Sequence, residues 1–209
     1  MSYLTVETIP TRNWKRKNLH IKSDRDRKRK KSQESVDQRI HYLWFHHLRL
    51  CMNLEELGFK IQKKDGGKNV LEETEVVVNK DIYKDWSLNS LYEMKFNEWY
   101  FDRKHDLLFS EGGFKYGGRS RYASLVKRFN VFIEYQNKMV DFEYDRGDMT
   151  KEMKISEDII KLYQKERFDR LKINHPHSKN RSPFNKIVKD DVRDCSKTLL
   201  AVCQGRFPK

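Results

Sequence analysis

The sequence predicts an all-α fold: a compact multi-helix body, allowing for one minor strand pair, preceded by a basic extended N-terminal arm. Apolar residues recur at helical spacing over several long stretches, and cap and stop residues flank those stretches. Aromatic residues are dense between residues 83 and 109. Because aromatic side chains dominate burial, we expect this stretch to lie at the centre of the core.

The composition indicates one folded domain with a highly charged surface. Of 209 residues, 37% are hydrophobic and 36% are charged. We predict a basic arm over residues 1–31 and a helical domain over residues 32–209, with a subdivision near residues 110–120. No apolar run is long enough to span a membrane and no secretory signal is evident, so we expect a cytoplasmic protein that does not enter a membrane.

The basic arm (residues 1–31) carries most of the formal net charge of +13. Residues 12–31 contain eleven basic and two acidic residues. Such a segment cannot offset its ordering entropy by apolar burial, whereas its cations gain affinity for nucleic acid by releasing counterions. The arm residues expected to contact nucleic acid or an acidic protein surface are Arg12, Trp14, Lys15, Arg16, Lys17, Arg25, Arg27, Lys28, Arg29, Lys30 and Lys31.

A short apolar segment precedes these cations and ends at Pro10. It is expected to add a strand or an extended clasp to a partner surface that the sequence does not specify. After the cations, an apolar stripe from Ile40 to Leu57 predicts a long helix with Ser32 or Ser35 as N-cap. Gly58 is expected to end this helix, because glycine readily adopts a positive φ.

The middle of the chain is less regular. Residues 60–69 resemble a polar loop, and the valines of residues 75–79 indicate a strand without an evident partner. We predict a short helix at residues 79–85 and a longer one at residues 88–104 with Ser87 as its cap. Three adjacent aromatic residues of the longer helix are candidates for self-association: Trp99, Tyr100 and Phe101.

Three more helices are expected after the glycine-rich stretch at residues 110–120. The first covers residues 121–140. The second follows a charged turn at residues 141–150 and uses Ser156 as N-cap. The third begins at Ser182 and Pro183 and ends at Gly205, because proline suits the first helical position and glycine the end.

A second basic excess lies near the C-terminus, where residues 165–209 contain twelve basic and five acidic residues. Together with the arm it indicates two basic surfaces flanking a slightly acidic middle. A solvated helix face is the competing interpretation. The residues expected to provide a second contact are Lys172, Lys179, Arg181 and Lys186.

Other patterns favour structural roles. The glycine-rich stretch lacks the Walker spacing, so a hinge is favoured over a nucleotide site. His175 and His177 flank a proline as in some metal-dependent nucleases, but a linker is favoured. Cys51, Cys195 and Cys203 lack paired spacing, which argues against a disulfide scaffold and favours a reducing compartment. We expect no metal, no cofactor, no small-molecule substrate and no catalytic set.

Four aromatic motifs carry a resemblance to a known group. They are Tyr83-x-x-Trp86, Phe96-x-x-Trp99-Tyr100, His105-x-x-Leu108-Phe109 and Val202-x-x-Gly205-x-Phe207-Pro208. This combination resembles uncharacterised proteins carried by phages and integrated mobile elements. The resemblance implies a phage-linked setting in a bacterial host cytoplasm, and it implies no activity and no site residues.

The sequence therefore favours a non-enzymatic, nucleic-acid-binding protein of phage or mobile-element type with weak sequence preference. The alternative is a capsid-associated or scaffolding protein that forms homo-oligomers. A metal-dependent nuclease is a distant third.

Overall fold

Helix α1 (Arg27–Glu56) is the longest element, and the other elements of the main core pack around it. The structure is a computed structural model that describes residues 4–9, 27–64, 71–109, 122–140, 149–174 and 183–207. Of the residues that it describes, 75% are helical, and they include one two-stranded antiparallel sheet. The predicted all-α class with a minor strand pair is therefore confirmed.

Seven α-helices occur in the described ranges. After α1 they are α2 (Leu88–Glu93), α3 (Phe96–Phe109), α4 (Tyr122–Val140), α5 (Met149–Tyr163), α6 (Lys165–Asn174) and α7 (Pro183–Cys203). Helix α4 packs along α7, and α5 packs against both. The predicted subdivision at residues 110–120 lies outside the described residues.

Two glycines end helices as predicted, by the same hydrogen-bond pattern. Gly58 has φ +60 and donates its N–H to the Glu55 carbonyl, while Phe59 donates to the Leu54 carbonyl. Gly205 has φ +65 and ends α7 with the equivalent pair of bonds. Positive φ is strained for a residue with a Cβ, so glycine suits both positions.

The start of α1 differs from the prediction. The helix begins at Arg27 and not at Ser32 or Ser35, so residues 27–31 of the basic arm are helical. The first turn contains no acidic residue. The helix therefore starts without the negative charge that usually favours a helix N-terminus.

The strand pair lies where a polar loop was predicted. Strand β1 (Lys60–Lys64) pairs antiparallel with β2 (Leu71–Glu75), and Lys60 stands opposite Glu75. The prediction of a strand at residues 75–79 was wrong beyond the first residue. Val76 and Val78 are buried and Val77 is exposed, which is the alternation typical of a strand. The Val76 N–H donates to the Phe59 carbonyl just beyond the paired strands. Charge pairing across the strands, which hydrophobic alternation cannot reveal, favours the observed register.

Two predicted helices are each divided into two. The first divides at Met94, which is extended, and Glu98 accepts the Lys95 N–H at 3.2 Å to cap the start of α3. Ser87 stands at the N-cap position of α2 as predicted, but it has φ 47 and makes no side-chain cap hydrogen bond. A 3₁₀ helix (Lys84–Trp86) replaces the short helix predicted at residues 79–85.

The second division falls between α5 and α6, at Gln164. Helix α5 begins at Met149, inside the predicted charged turn. Ser156 lies in its interior, fully buried, and is not an N-cap. The Gln164 side chain donates to Asp191 of α7 at 3.3 Å. This hydrogen bond lies at the helix break and joins residues 27 positions apart, so a local sequence pattern could not predict it.

The described residues form two apolar clusters. The main cluster joins residues 4–9, α1, the residues around Trp86, α3, α4, α7 and Phe207. The second cluster lies between α4, α5 and α7 around Val131, Ile159 and Val188. Helices α4 and α7 contribute to both clusters, so they fix the two cores against each other.

Trp44 lies at the centre of the main cluster. Its Nε1 donates to the Tyr83 hydroxyl at 2.8 Å, and that hydroxyl donates to the Val202 carbonyl of α7. Its ring lies 5.2 Å from the Trp86 ring and 5.6 Å from Phe207, measured between centroids. The prediction that the aromatic stretch forms the centre of the core is confirmed by these contacts.

We expect Tyr83→Phe to lower the free energy of unfolding by about 1–3 kcal/mol, because the buried Trp44 N–H loses this acceptor. Urea denaturation measures the change. Tyr163→Phe is the matched control, since its hydroxyl lies 3.4 Å from Glu134 in a half-buried position. Equal losses in the two variants would contradict the central role of the Trp44 network.

Candidate nucleic-acid interface

The predicted contact residues fall into three groups in the structure. Residues 27–31 form the beginning of α1, Lys172 lies on α6, and Lys186 is exposed on α7. The structure describes the backbone but not the side chains of residues 27–31 and Lys172. The remaining predicted contacts lie outside the described residues: Arg12, Trp14, Lys15, Arg16, Lys17, Arg25, Lys179 and Arg181.

The beginning of α1 is the strongest basic feature in the described part of the chain. Residues 27–31 are five consecutive cations at the N-terminal end of a helix. Each cation near that end is opposed by the helix dipole at a cost of about 0.3–1 kcal/mol. An anion bound there offsets both the dipole term and the mutual repulsion of the cations. The local electrostatics therefore favour a polyanion at this end of α1.

The other part of α1 is fixed in the core. Leu43, Trp44, Leu48 and Leu54 are essentially inaccessible to solvent. One continuous helix thus joins a cationic start to a rigid, buried segment.

Residues 4–9 pack on α1 and α4 without forming a strand, which agrees with the second of the two predicted alternatives, and we call them the N-terminal clasp. The Ile9 N–H donates to Asn130 Oδ1 at 2.8 Å, and Asn130 Nδ2 donates back to the Ile9 carbonyl at 2.8 Å. Asn137 and Asn53 accept the N–H groups of the clasp residues Leu4 and Thr5. The clasp runs antiparallel to α4 because its first residue meets Asn137 and its last meets Asn130.

The sequence reasoning did not identify these three asparagines. One signal was present for two of them: Asn53 and Asn130 each stand between two apolar residues on a helix. Asn130, between Phe129 and Val131, is 1% exposed. A buried amide in such a position needs hydrogen-bond partners, and the backbone of a distant segment supplies them here.

Ion pairs partly neutralise the C-terminal basic excess. Asp191, which is 6% exposed, contacts Lys127 of α4 at 2.9 Å. Arg128 of α4 pairs with Asp194 at 2.8 Å. The exposed cations of α7 that pair with acidic side chains are Lys189 with Glu152, Arg193 with Asp190, and Lys197 with Asp194. Acidic side chains therefore compensate part of the charge of the exposed α7 cations other than Lys186.

The histidines of α1 serve packing. His47 is buried, its Nδ1 lies 2.7 Å from the Leu43 carbonyl, and its ring contacts Phe129 and Phe207. Burial lowers the pKa of His47 to about 4. Burial, with smaller effects from the His47 and Arg49 charges, lowers the pKa of His46 to about 3. Both imidazoles are therefore neutral at physiological pH.

The described residues give no support for a metal site or a reactive cysteine. No cluster of three or more histidine, cysteine or acidic residues with metal-binding geometry occurs among the residues searched. His175 and His177 lie outside them. The three cysteines are buried and free, and burial raises the pKa of Cys51 and Cys195, which keeps these thiols protonated.

The aromatic surface predicted for self-association is smaller than expected. Trp99 is fully buried and donates its Nε1–H to the Trp86 carbonyl at 3.0 Å. Tyr100 is 6% exposed, and Phe101 is 61% exposed. Trp99 and Tyr100 are covered because the face of α3 that carries them packs on α1, so Phe101 is the exposed member of the three candidates.

Among the described residues, no helix is both long and apolar enough to cross a membrane. Comparisons with protein-family models, with curated proteins and with solved structures gave no match.

The two depressed histidine pKa values predict a loss of stability in mild acid. Unfolded histidines have a pKa near 6.5, so below that pH the unfolded chain binds protons that the folded chain does not. The stabilising contribution is complete above pH 6.5 and falls as the pH drops towards the folded values. Between pH 6 and 5 we expect a fall in unfolding free energy of about 1.4 kcal/mol per pH unit for each histidine.

Urea denaturation across this pH range tests the prediction. His46→Gln should remove about half of the slope, because one of the two depressed groups is gone. A slope that is unchanged in this variant would show that other groups cause the acid sensitivity.

Proposed function

We propose that this protein binds nucleic acid and contacts phosphates through the basic arm and the beginning of α1. The observation that carries the proposal is the continuity of α1, in which five cations precede a segment fixed in the core. Phosphate backbones attract such a cluster and release counterions when it binds. A single helix gives that contact a rigid support.

A second contact is proposed through Lys172, Lys179, Arg181 and Lys186. Lys186 is exposed and has no ion pair with any residue whose side chain the structure describes. Since the neighbouring cations of α7 are paired with acids, this contact is secondary to the arm. Both contacts are to phosphates, so we propose binding with little sequence preference.

The setting proposed for this activity is a phage or mobile element acting in a bacterial cytoplasm. It rests on the four aromatic motifs and on the basic composition. We propose no catalytic step and no cofactor. A homo-oligomeric assembly role has less support, because Phe101 is the exposed member of the three aromatic residues considered for it.

The proposal predicts that affinity for DNA depends more on where the positive charges lie than on how many there are. We expect the triple variant Lys28→Gln, Arg29→Gln and Lys30→Gln to bind a random-sequence DNA duplex about tenfold or more weakly than the parent. The slope of log affinity against log salt should become shallower by about two to three units. Glutamine keeps helix propensity, so the helix is retained.

A matched control removes three positive charges from α7 in the variant Lys189→Gln, Arg193→Gln and Lys197→Gln. Both triples change the net charge equally. We expect a smaller loss of affinity and a nearly unchanged salt slope in the control. Fluorescence anisotropy between about 50 and 200 mM salt measures both quantities.

Two further probes separate the classes of partner. A single-stranded RNA of the same length compares the two nucleic acids, and polyglutamate represents an acidic protein surface. Equal losses in the two triple variants, or tighter binding to polyglutamate than to either nucleic acid, would refute the proposal.

A further inference from the structure

We propose that Arg167 and Arg170 of α6 bind phosphates of the nucleic acid and belong to the second contact. This inference rests on the proposed function, and it adds to that contact two residues that the sequence did not single out. It concerns which exposed cations near the C-terminus are available to a polyanion, since a paired and an unpaired arginine have the same formal charge.

Both arginines are exposed on α6, and neither forms an ion pair with a carboxylate that the structure describes. Acidic residues do occur on this helix, at Glu166 and Asp169. Glu166 stands four positions before Arg170, a spacing that often gives an ion pair. The Arg170 Nε instead donates to the Glu166 backbone carbonyl at 3.3 Å. The described carboxylates therefore leave the charge of both arginines uncompensated.

The exposed cations in the middle of α7 differ from these arginines. Arg193 pairs with Asp190 at 2.8 Å, and Lys197 pairs with Asp194 at 3.4 Å. Exposed pairs of this kind add little stability, but a phosphate that binds the cation must displace the carboxylate. A phosphate on the α6 arginines displaces no described carboxylate. A polyanion therefore meets less competition on α6 than on the middle of α7.

Hydrogen bonds to neutral acceptors hold both guanidinium groups. Arg167 Nη1 donates to Gln164 Oε1 at 3.1 Å, while Gln164 Nε2 donates to Asp191 Oδ2 at 3.3 Å. Asp191 is 6% exposed, and it fixes which end of the Gln164 amide faces Arg167. A neutral acceptor orients a guanidinium group without cancelling its charge. Arginine carries several N–H donors, so donors remain for a phosphate.

The two arginine side chains run in the same direction. Arg167 bonds to residue 164 and Arg170 to residue 166, so both fold back towards the beginning of α6. Residues at this spacing are neighbours on a helix surface, so one phosphate backbone can contact both. A planar guanidinium group binds phosphate through two N–H groups. Because both groups are already oriented, less conformational freedom is lost on binding.

Packing joins α6 to the helix that carries Lys186 of the second contact. The Phe168 ring stacks on the Phe184 ring of α7, with centroids 5.3 Å apart and 25° between the ring planes. Lys186 follows Phe184 by two positions and is exposed. The two arginines therefore lie on a helix that packs against the beginning of α7.

The test compares two pairs of cations in the full chain. For the variant Arg167→Gln and Arg170→Gln we expect about three- to tenfold weaker binding to the random-sequence duplex. The slope of log affinity against log salt should become shallower by about one to two units. The control, Arg193→Gln and Lys197→Gln, removes the same charge and should show a smaller loss and a nearly unchanged slope. Fluorescence anisotropy measures both quantities, and circular dichroism establishes that each variant is folded.

A variant that keeps the charge tests the role of the oriented guanidinium groups. Arg167→Lys and Arg170→Lys retains both positive charges, but lysine lacks the planar group that binds phosphate through two N–H groups. We expect binding to the duplex to weaken by about two- to fivefold with the salt slope of the parent. A lysine variant that binds as tightly as the parent would overturn this role.

The outcomes separate this inference from the proposed function. If the parent binds the duplex and the glutamine variant loses no more affinity than its control, the inference is overturned and the proposed function stands. A larger loss of affinity for polyglutamate than for the duplex would assign the two arginines to an acidic protein surface and would also overturn the inference. A parent that does not bind nucleic acid overturns both.

Discussion

The hydrogen bond from Trp44 to the Tyr83 hydroxyl joins three distant parts of the chain. Trp44 belongs to α1, Tyr83 precedes the 3₁₀ helix, and the Tyr83 hydroxyl continues to the Val202 carbonyl near the end of α7. Phe207 then covers the Trp44 ring. Both hydrogen-bonding groups are buried, so the network can be satisfied only when all three parts are assembled.

This network matters for the proposed function because it holds the buried part of α1 in place. The helix is fixed by the network over its buried part, and its opposite end begins with the cations of residues 27–31. Three exposed cations of α7 are in a different state, because Glu152 of α5 and two aspartates of α7 pair with them. Two basic excesses that look alike in the sequence therefore differ in the structure: one is concentrated at the start of a helix, and some cations of the other pair with acidic side chains.

Features that depend on neighbouring residues, such as helix ends at glycine and helical periodicity, were predicted correctly. The ends of α1 and α7 follow from Gly58 and Gly205, and α4 follows from an apolar stripe of helical period. The aromatic stretch was correctly expected to form the core, although the burial of Trp99 removed most of the surface expected for self-association. The division at Gln164 was not predicted, and there the Gln164 side chain contacts Asp191, 27 residues away.

The sequence predicted the charge of the proposed site but not the long-range contacts around it. The cations could be counted from the sequence, whereas the clasp depends on Asn130 meeting Ile9 across 121 residues. The strand pair was missed for a related reason, because its strands match lysine to glutamate and show little hydrophobic alternation. Pairings between distant residues decide both features, and a single sequence carries few signs of them.

Hydrogen exchange of the full chain with and without a random-sequence duplex tests the central claim most directly. If the beginning of α1 contacts phosphates, binding slows exchange more strongly in residues 27–38 of α1 than in residues 189–200 of α7. Protection confined to α7, with none at the beginning of α1, would contradict it.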